Sequence, residues 1–279
     1  MPIHDQGYRR YLGSRSAVGR SWQVMTRAGV MSVISKRVFI GMMLWAWAPF
    51  VVRAVQIYFS ETYTLPEFLT AKGETFREFL DQQGLFVFFM TIYVGAGLIA
   101  NDRRANALQL YLSKPMTSAE YIAGKLAILV LFLVSVTFLP AMMLLVTQAA
   151  FAGDLTFVRN NMYLLPAITL YSVLLVLLAS TTMLALSSMS KSSRFVAVMY
   201  AGLFFFTLAL FNTLRGITGS SRFAWLAPTA SLQQLGDWIF RLTPRYQLSP
   251  AIAGLAVVVL IAGSIWILMR RVRGVEIVT

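Results

Sequence analysis

The sequence predicts an all-α polytopic membrane protein with six transmembrane helices, and three observations predict it. The chain has 279 residues, of which 58% are hydrophobic and only 13% charged, with a mean hydropathy of +0.69. Soluble domains carry about 25% charged residues, so this chain has too little polar surface to cover a globule in water. Its apolar residues fall into six long runs separated by polar segments. Its basic residues flank those runs, as residues that orient a membrane protein do.

Residues 1–37 are polar and basic, with Arg9, Arg10, Arg15, Arg20, Arg27, Lys36 and Arg37 against Asp5 alone. No short apolar core with a cleavage site opens the chain, which argues against a cleaved signal peptide. Val18, Trp22 and Met25 fall on one helical face with Arg20 and Arg27 opposite, the pattern of a short interfacial helix on anionic lipid. Residues 28–36 do not sort by face, and a basic tail without structure is the alternative. Val38–Phe59 is the first expected span; at 1.5 Å per residue it covers roughly 33 Å, enough for a hydrocarbon core of about 30 Å. The acidic loop 60–83 follows, with a short amphipathic helix suggested by Phe68, Leu69, Phe76 and Leu80. The remaining spans are expected at about 84–100, 126–151, 162–189, 195–212 and 250–269. Pro140 and Pro166 lie inside spans, where neighbouring helices can satisfy the freed carbonyls. The aromatic residues of the fifth span read as lipid-facing. Between the last two spans, Trp225 and Trp238 fit an interfacial belt, and residues 230–242 fit a short helix in or dipping into the outer leaflet. Ser249-Pro250 is a cap and first-turn pair for the last span.

Six spans put both termini on one side. Sixteen Lys and Arg then lie on that side and seven on the other, with Arg53 inside a span. The excess assigns the termini to the cytoplasm. The expected organisation is a cytoplasmic basic segment 1–37, one membrane domain 38–270 and a cytoplasmic tail 271–279. The formal net charge of +13 is thus accounted for by membrane orientation, and no nucleic-acid partner is expected.

The most patterned polar stretch is 101–126, NDRRANALQLYLSKPMTSAEYIAGKL. Asp102 is placed to cap a helix running to Leu112. Ser113-Lys114-Pro115 breaks the chain, since Pro disfavours helical geometry in the residue before it. Thr117 and Glu120 stand in capping-box spacing, with Met116 and Tyr121 placed as a hydrophobic staple. The stretch reads as a helix–turn–helix rooted in the bilayer at both ends, or as an ordinary capped loop.

This stretch resembles the loop after the second span of type-2 ABC transporter permeases, with its run G-T-L-x-x-L-L-S-x-P-[VM]-[ST]-R-x-x-x-x-x-G-K. Leu108, Leu112, Ser113, Pro115, Met116, Thr117, Gly124 and Lys125 match that run. Asn106-Ala107, Tyr111 and Ser118 depart from it. The motif covers about a tenth of the chain, and the six-span topology agrees with the family throughout. The resemblance implies the permease subunit of an ATP-driven exporter in the inner membrane, with a second permease copy or a sister permease and two copies of an ABC ATPase subunit. The loop is then the coupling element that docks on the ATPase, with Arg103, Arg104, Leu108, Ser113, Lys114, Pro115, Thr117 and Glu120 as its contact and capping residues. ATP and magnesium are expected in that partner, no cofactor on this chain, and membrane lipids as its surroundings.

The remaining chemistry is sparse. All eleven acidic residues fall outside the six runs, which argues against an ion-coupled secondary transporter. There is no cysteine, and His4 is the only histidine. Ser180, Ser187 and Ser188 in the fourth run have no base beside them at membrane depth, so they read as interhelical hydrogen-bonding groups and an enzyme is not expected. Residues 123–126, AGKL, fail the phosphate-loop pattern because Ala119 replaces its first Gly and Leu126 its Ser or Thr. Arg53 is within snorkelling reach of the outer end of its span, with Glu61 or Glu67 as partner; gripping an anionic substrate is its other role. A non-transporting membrane anchor or assembly factor that recruits a partner through the same hairpin is the alternative function.

Overall fold

The computed structural model describes residues 21–62, 72–107, 116–153 and 156–272. Among these residues every regular element is helical, and six helical segments are long and apolar enough to cross a membrane: Arg37–Ser60, Gly73–Arg104, Ser118–Ala152, Leu164–Met189, Ser193–Thr218 and Pro250–Arg271. The chain is a multi-pass membrane protein. Residues 105–107 and 116–117 and the turn 190–192 lie on one face, called here the hairpin face. The segments 219–249 and 156–163 lie on the other.

The fourth span is the centre. It packs against the second, third and sixth spans, and its inward residues are small: Ala179, Ser180, Thr181, Thr182, Ala185, Ser187 and Ser188 are all buried. Small side chains let helix backbones approach closely where lipid supplies no hydrophobic drive for association. The first span, with 11% of its most apolar stretch buried, and the fifth, with 17%, are peripheral. Phe205 and Phe206 of the fifth span point outward as expected, but Tyr200 and Phe211 are buried and Tyr200 stacks with Phe204 and Phe88.

The second span differs most from the sequence reading. Its helix starts at Gly73 instead of Gly84, so the expected amphipathic helix of the loop is, from Gly73 on, the first part of the span itself. Phe76, Phe79 and Leu80 are buried in that part, and Gln83 is buried with its Nε2 donating to the Ala46 carbonyl at 3.1 Å. The polar run Asp81–Gln83 resembles a loop only when its tertiary partners are unseen. At the other end the helix breaks after Gly95 and restarts over Ala100–Arg104. The helix expected over 102–112 is interrupted, because Asn106 takes a left-handed φ of 53°.

Breaks in two other spans have local causes. The first span breaks at Trp47, two residues before Pro49, and the third at Thr137, three residues before Pro140. Each proline removes a helical donor. At the second break the Thr137 hydroxyl donates to the Leu133 carbonyl at 2.8 Å. The fifth span runs six residues further than expected, to Thr218, and ends on Gly219 in left-handed conformation. Ser249 caps the last span, its hydroxyl accepting from the Ala251 N–H at 3.3 Å.

The N-terminal helix is Ser21–Ile34, so residues 28–34 continue it although their polarity does not sort. Val18 and Arg20 lie outside the described residues. The helix lies against the start of the third span, with Val33 buried and the Thr26 hydroxyl donating to the Gly124 carbonyl at 3.2 Å. Gly124 is what permits this contact. A Cβ there would stand 3.2 Å from the Trp22 carbonyl oxygen and 3.1 Å from Met25 Sδ. A Gly124→Leu variant is expected to displace the helix at a cost of about 1–3 kcal/mol. Faster tryptic cleavage after Arg27 in the purified protein, compared with wild type, checks this.

Candidate functional site

Two polar centres stand at opposite ends of the second span. The 32 residues Gly73–Arg104 would extend roughly 48 Å at 1.5 Å per residue, well beyond a hydrocarbon core of about 30 Å. Charged groups near either end of this helix therefore sit at the edge of the apolar slab.

The first centre roots the 101–126 hairpin. The break after Gly95 leaves two amide donors without helical partners, and Ser187 of the fourth span supplies them. Its Oγ accepts from the Ile99 N–H at 3.1 Å and the Ala100 N–H at 3.0 Å, and donates to the Ala96 carbonyl at 3.0 Å. Ser187 thus joins spans as its sequence position suggests, whereas Ser180 and Ser188 donate to carbonyls of their own helix. One turn on, Asp102 faces the third span. Its carboxylate lies 2.7 Å from Lys125 Nζ and accepts from the Tyr121 hydroxyl at 2.7 Å. Asp102 therefore ties the two roots of the hairpin together, instead of capping a helix. Arg103 is half-buried and donates to the Ser188 carbonyl. Arg104 is exposed. The capping box is formed: the Thr117 N–H donates to the Glu120 carboxylate at 2.9 Å, and the Glu120 N–H to the Thr117 hydroxyl at 3.2 Å. Met116 packs on the core that contains Tyr121. Leu108, Ser113, Lys114 and Pro115 lie outside the described residues.

The second centre, at the opposite face, was not foreseen. Arg77, near the start of the second span, has a fully buried side chain. It pairs with Asp81 one turn on and with Asp237 at 3.5 Å, donates to the Gln233 carbonyl at 3.0 Å, and lies 4.6 Å from the Tyr171 ring centroid. Arg245 reaches both carboxylates, 2.7 Å from Asp81 and 3.2 Å from Asp237. Asp237 belongs to the short helix Pro228–Ile239, which is set among the spans with Ala230, Ser231, Leu232, Gln234 and Leu235 buried. Trp238 at its end and Trp225 before it are exposed, as an interfacial belt requires. Gly236 makes the cluster possible, because a Cβ there would run into the Arg77 guanidinium. Gln234 holds the following loop, its Nε2 donating to the Leu248 carbonyl at 2.7 Å. Burial pushes the Asp237 carboxyl up even with two guanidiniums beside it. For Arg245, burial pulls down but Asp81 and Asp237 outweigh it and hold the group above its ordinary value.

Asp81 and Glu78, with Glu74 and Asp102, belong to the second span's helix. The expectation that every acid lies outside the spanning helices is corrected: these four stand toward the ends of a helix longer than the hydrocarbon core is thick. Arg53 is paired with Glu78 at 3.0 Å and with Gln56 at 3.1 Å; the expected partners, Glu67 and the Glu61 side chain, lie outside the described residues. Of the second centre, the sequence carries only the i,i+4 spacing of Arg77 and Asp81. Nothing local marks Asp237 or Arg245 as their partners.

No family model matches the chain, and no curated protein matches it.

Removing one member of a buried ionic cluster strands the others, at a cost of about 3–5 kcal/mol. Arg77→Met is expected to destabilise the protein by that amount. Combined with Asp237→Asn it is expected to cost less than the two changes summed, by about 0.5–3 kcal/mol. Unfolding of the four proteins in one detergent, followed through the double-mutant cycle, checks both values.

Proposed function

We propose that this chain is the membrane subunit of an ATP-driven exporter, coupled to a separate ATPase through the 101–126 hairpin. The observation that carries the reading is the locked root of that hairpin. Asp102, Lys125 and Tyr121 clamp its two ends together, and Ser187 fixes the first end to the central span. A load applied to the hairpin then moves the second, third and fourth spans as a body. A simple connector needs no such clamp. The resemblance of residues 108–125 to the coupling loop of type-2 ABC permeases supports the same reading, and two of the matched residues have a physical role. Gly124 admits the N-terminal helix, and Lys125 pairs with Asp102.

In this reading the hairpin face is cytoplasmic, in the inner membrane, as the sixteen-to-seven excess of basic residues supports. Two ATPase subunits bind and hydrolyse ATP with magnesium. Their closure pushes the hairpins of two permease chains, this one with a second copy or a sister, and the spans rock around a path between them.

Orientation is tested in a chain that lacks cysteine. Thr243→Cys, exposed before the last span, is expected to react with an impermeant thiol reagent in intact spheroplasts. Lys191→Cys, exposed in the turn between the fourth and fifth spans, is expected to react only in opened cells. Reversed labelling rejects the reading.

Coupling is tested by purifying the tagged chain from native membranes. Wild type is expected to bring down an ATPase subunit with measurable ATP turnover. Thr117→Ala with Glu120→Ala removes both halves of the capping box, costing about 1–2 kcal/mol at that helix end. Recovered turnover is expected to fall at least fivefold with folded yield unchanged, while Ser249→Ala, a cap away from the hairpin, leaves it intact. Recovery of a partner without ATP turnover favours the membrane-anchor alternative.

A further inference from the structure

A cavity of about 410 Å³ opens between the second, fourth and fifth spans and the short helix Pro228–Ile239, within the range of about 300–1,000 Å³ usual for small-molecule sites. Its walls are apolar, with Phe88, Leu178, Phe204 and Leu208 among them. Phe205 also lines it and is 62% exposed, so the cavity reaches the side of the bundle. Its polar groups include Asp81, Thr229 and Gln233. They form one end, because Thr229 and Gln233 are one turn apart on the short helix and Arg77 links the Gln233 carbonyl to Asp81.

We propose that this cavity binds one single-chain amphiphile with an uncharged, hydroxyl-bearing head, its hydrocarbon tail between the spans and its head at the end formed by Asp81 and Gln233. The head's charge follows from the neighbouring cluster. Asp81 is paired with Arg77 and Arg245, and Asp237 with the same two arginines. Two positive and two negative charges leave no surplus of either sign, so a charged head would be buried without a counter-charge. A hydroxyl head can donate to the Asp81 carboxylate, whose side chain is 18% exposed.

Gly84 gives a clean test. It lines the cavity, and a Cβ there meets nothing within 4 Å, so Gly84→Leu fills the space without a clash at its first atom. The probe is a monoacylglycerol carrying a photoreactive diazirine at the end of its chain, added to the isolated protein in lipid nanodiscs. Labelling is expected to saturate and to map to the second, fourth or fifth span. Gly84→Leu is expected to reduce it at least tenfold. Gly202→Leu, exposed on the fifth span and outside the cavity, is expected to leave it unchanged. The fatty acid and the alkylamine of the same chain length are expected to compete at least tenfold less well than unlabelled monoacylglycerol. Labelling that does not saturate, that survives Gly84→Leu, or that a charged competitor displaces best, overturns the inference. So does protection of the cavity by a second copy of the chain. Binding is read without any ATPase, so it can fail while the transport reading stands, and the reverse.

Discussion

Inside an apolar slab a backbone amide that loses its helical partner has no water to turn to, and this constraint organises the structure. The break in the second span after Gly95 is the place where it binds most tightly. One hydroxyl, Ser187, accepts two freed amides and donates to a carbonyl. It does so from the fourth span, so satisfying the break also fastens the second span to the centre of the bundle. The prolines of the first and third spans raise the same problem in weaker form, and the Thr137 hydroxyl engages a carbonyl of the preceding turn.

The second span carries an ionic lock near each end. On the hairpin face Asp102 joins Lys125 and Tyr121; on the opposite face Arg77 and Asp81 join Asp237 and Arg245. The span exceeds the thickness of the hydrocarbon core, so both locks stand at its edges, where charged groups are tolerated if paired. The lock opposite the hairpin face fixes the helix Pro228–Ile239 to the second span, and that helix closes one side of the lateral cavity. The lock on the hairpin face fixes the start of the hairpin to the third span. A displacement of the second span is therefore felt at both faces, which suits a subunit whose two faces must change together.

Burial is distributed accordingly. The small residues of the fourth span sit at the centre, and the large apolar side chains of the first, fifth and sixth spans, such as Leu44, Phe206 and Leu255, face outward. Lipid solvates those side chains, so their hydrophobicity sets membrane depth and leaves helix pairing to close contact and to polar bonds. The N-terminal helix shows the same rule at the interface, held by backbone approach at Gly124 and by one hydroxyl, Thr26.

Composition and run length determined the class of the protein and the number of its spans, because insertion in a bilayer depends on local hydropathy summed over about 20 residues. Local chemistry likewise determined the features that close within one turn: the Thr117–Glu120 box, the Ser249 cap and the Arg77–Asp81 spacing. Tertiary structure alone decided the rest. Asp81, Gln83 and Arg77 resemble loop residues until Asp237, the Ala46 carbonyl and Gln233 are brought to them from distant segments, and so the second span was read eleven residues short at its start. Arg53 meets Glu78, which the second span brings to it, for the same reason. A buried charge is stable only through partners, and partners tens or hundreds of residues away leave no periodic trace in the sequence.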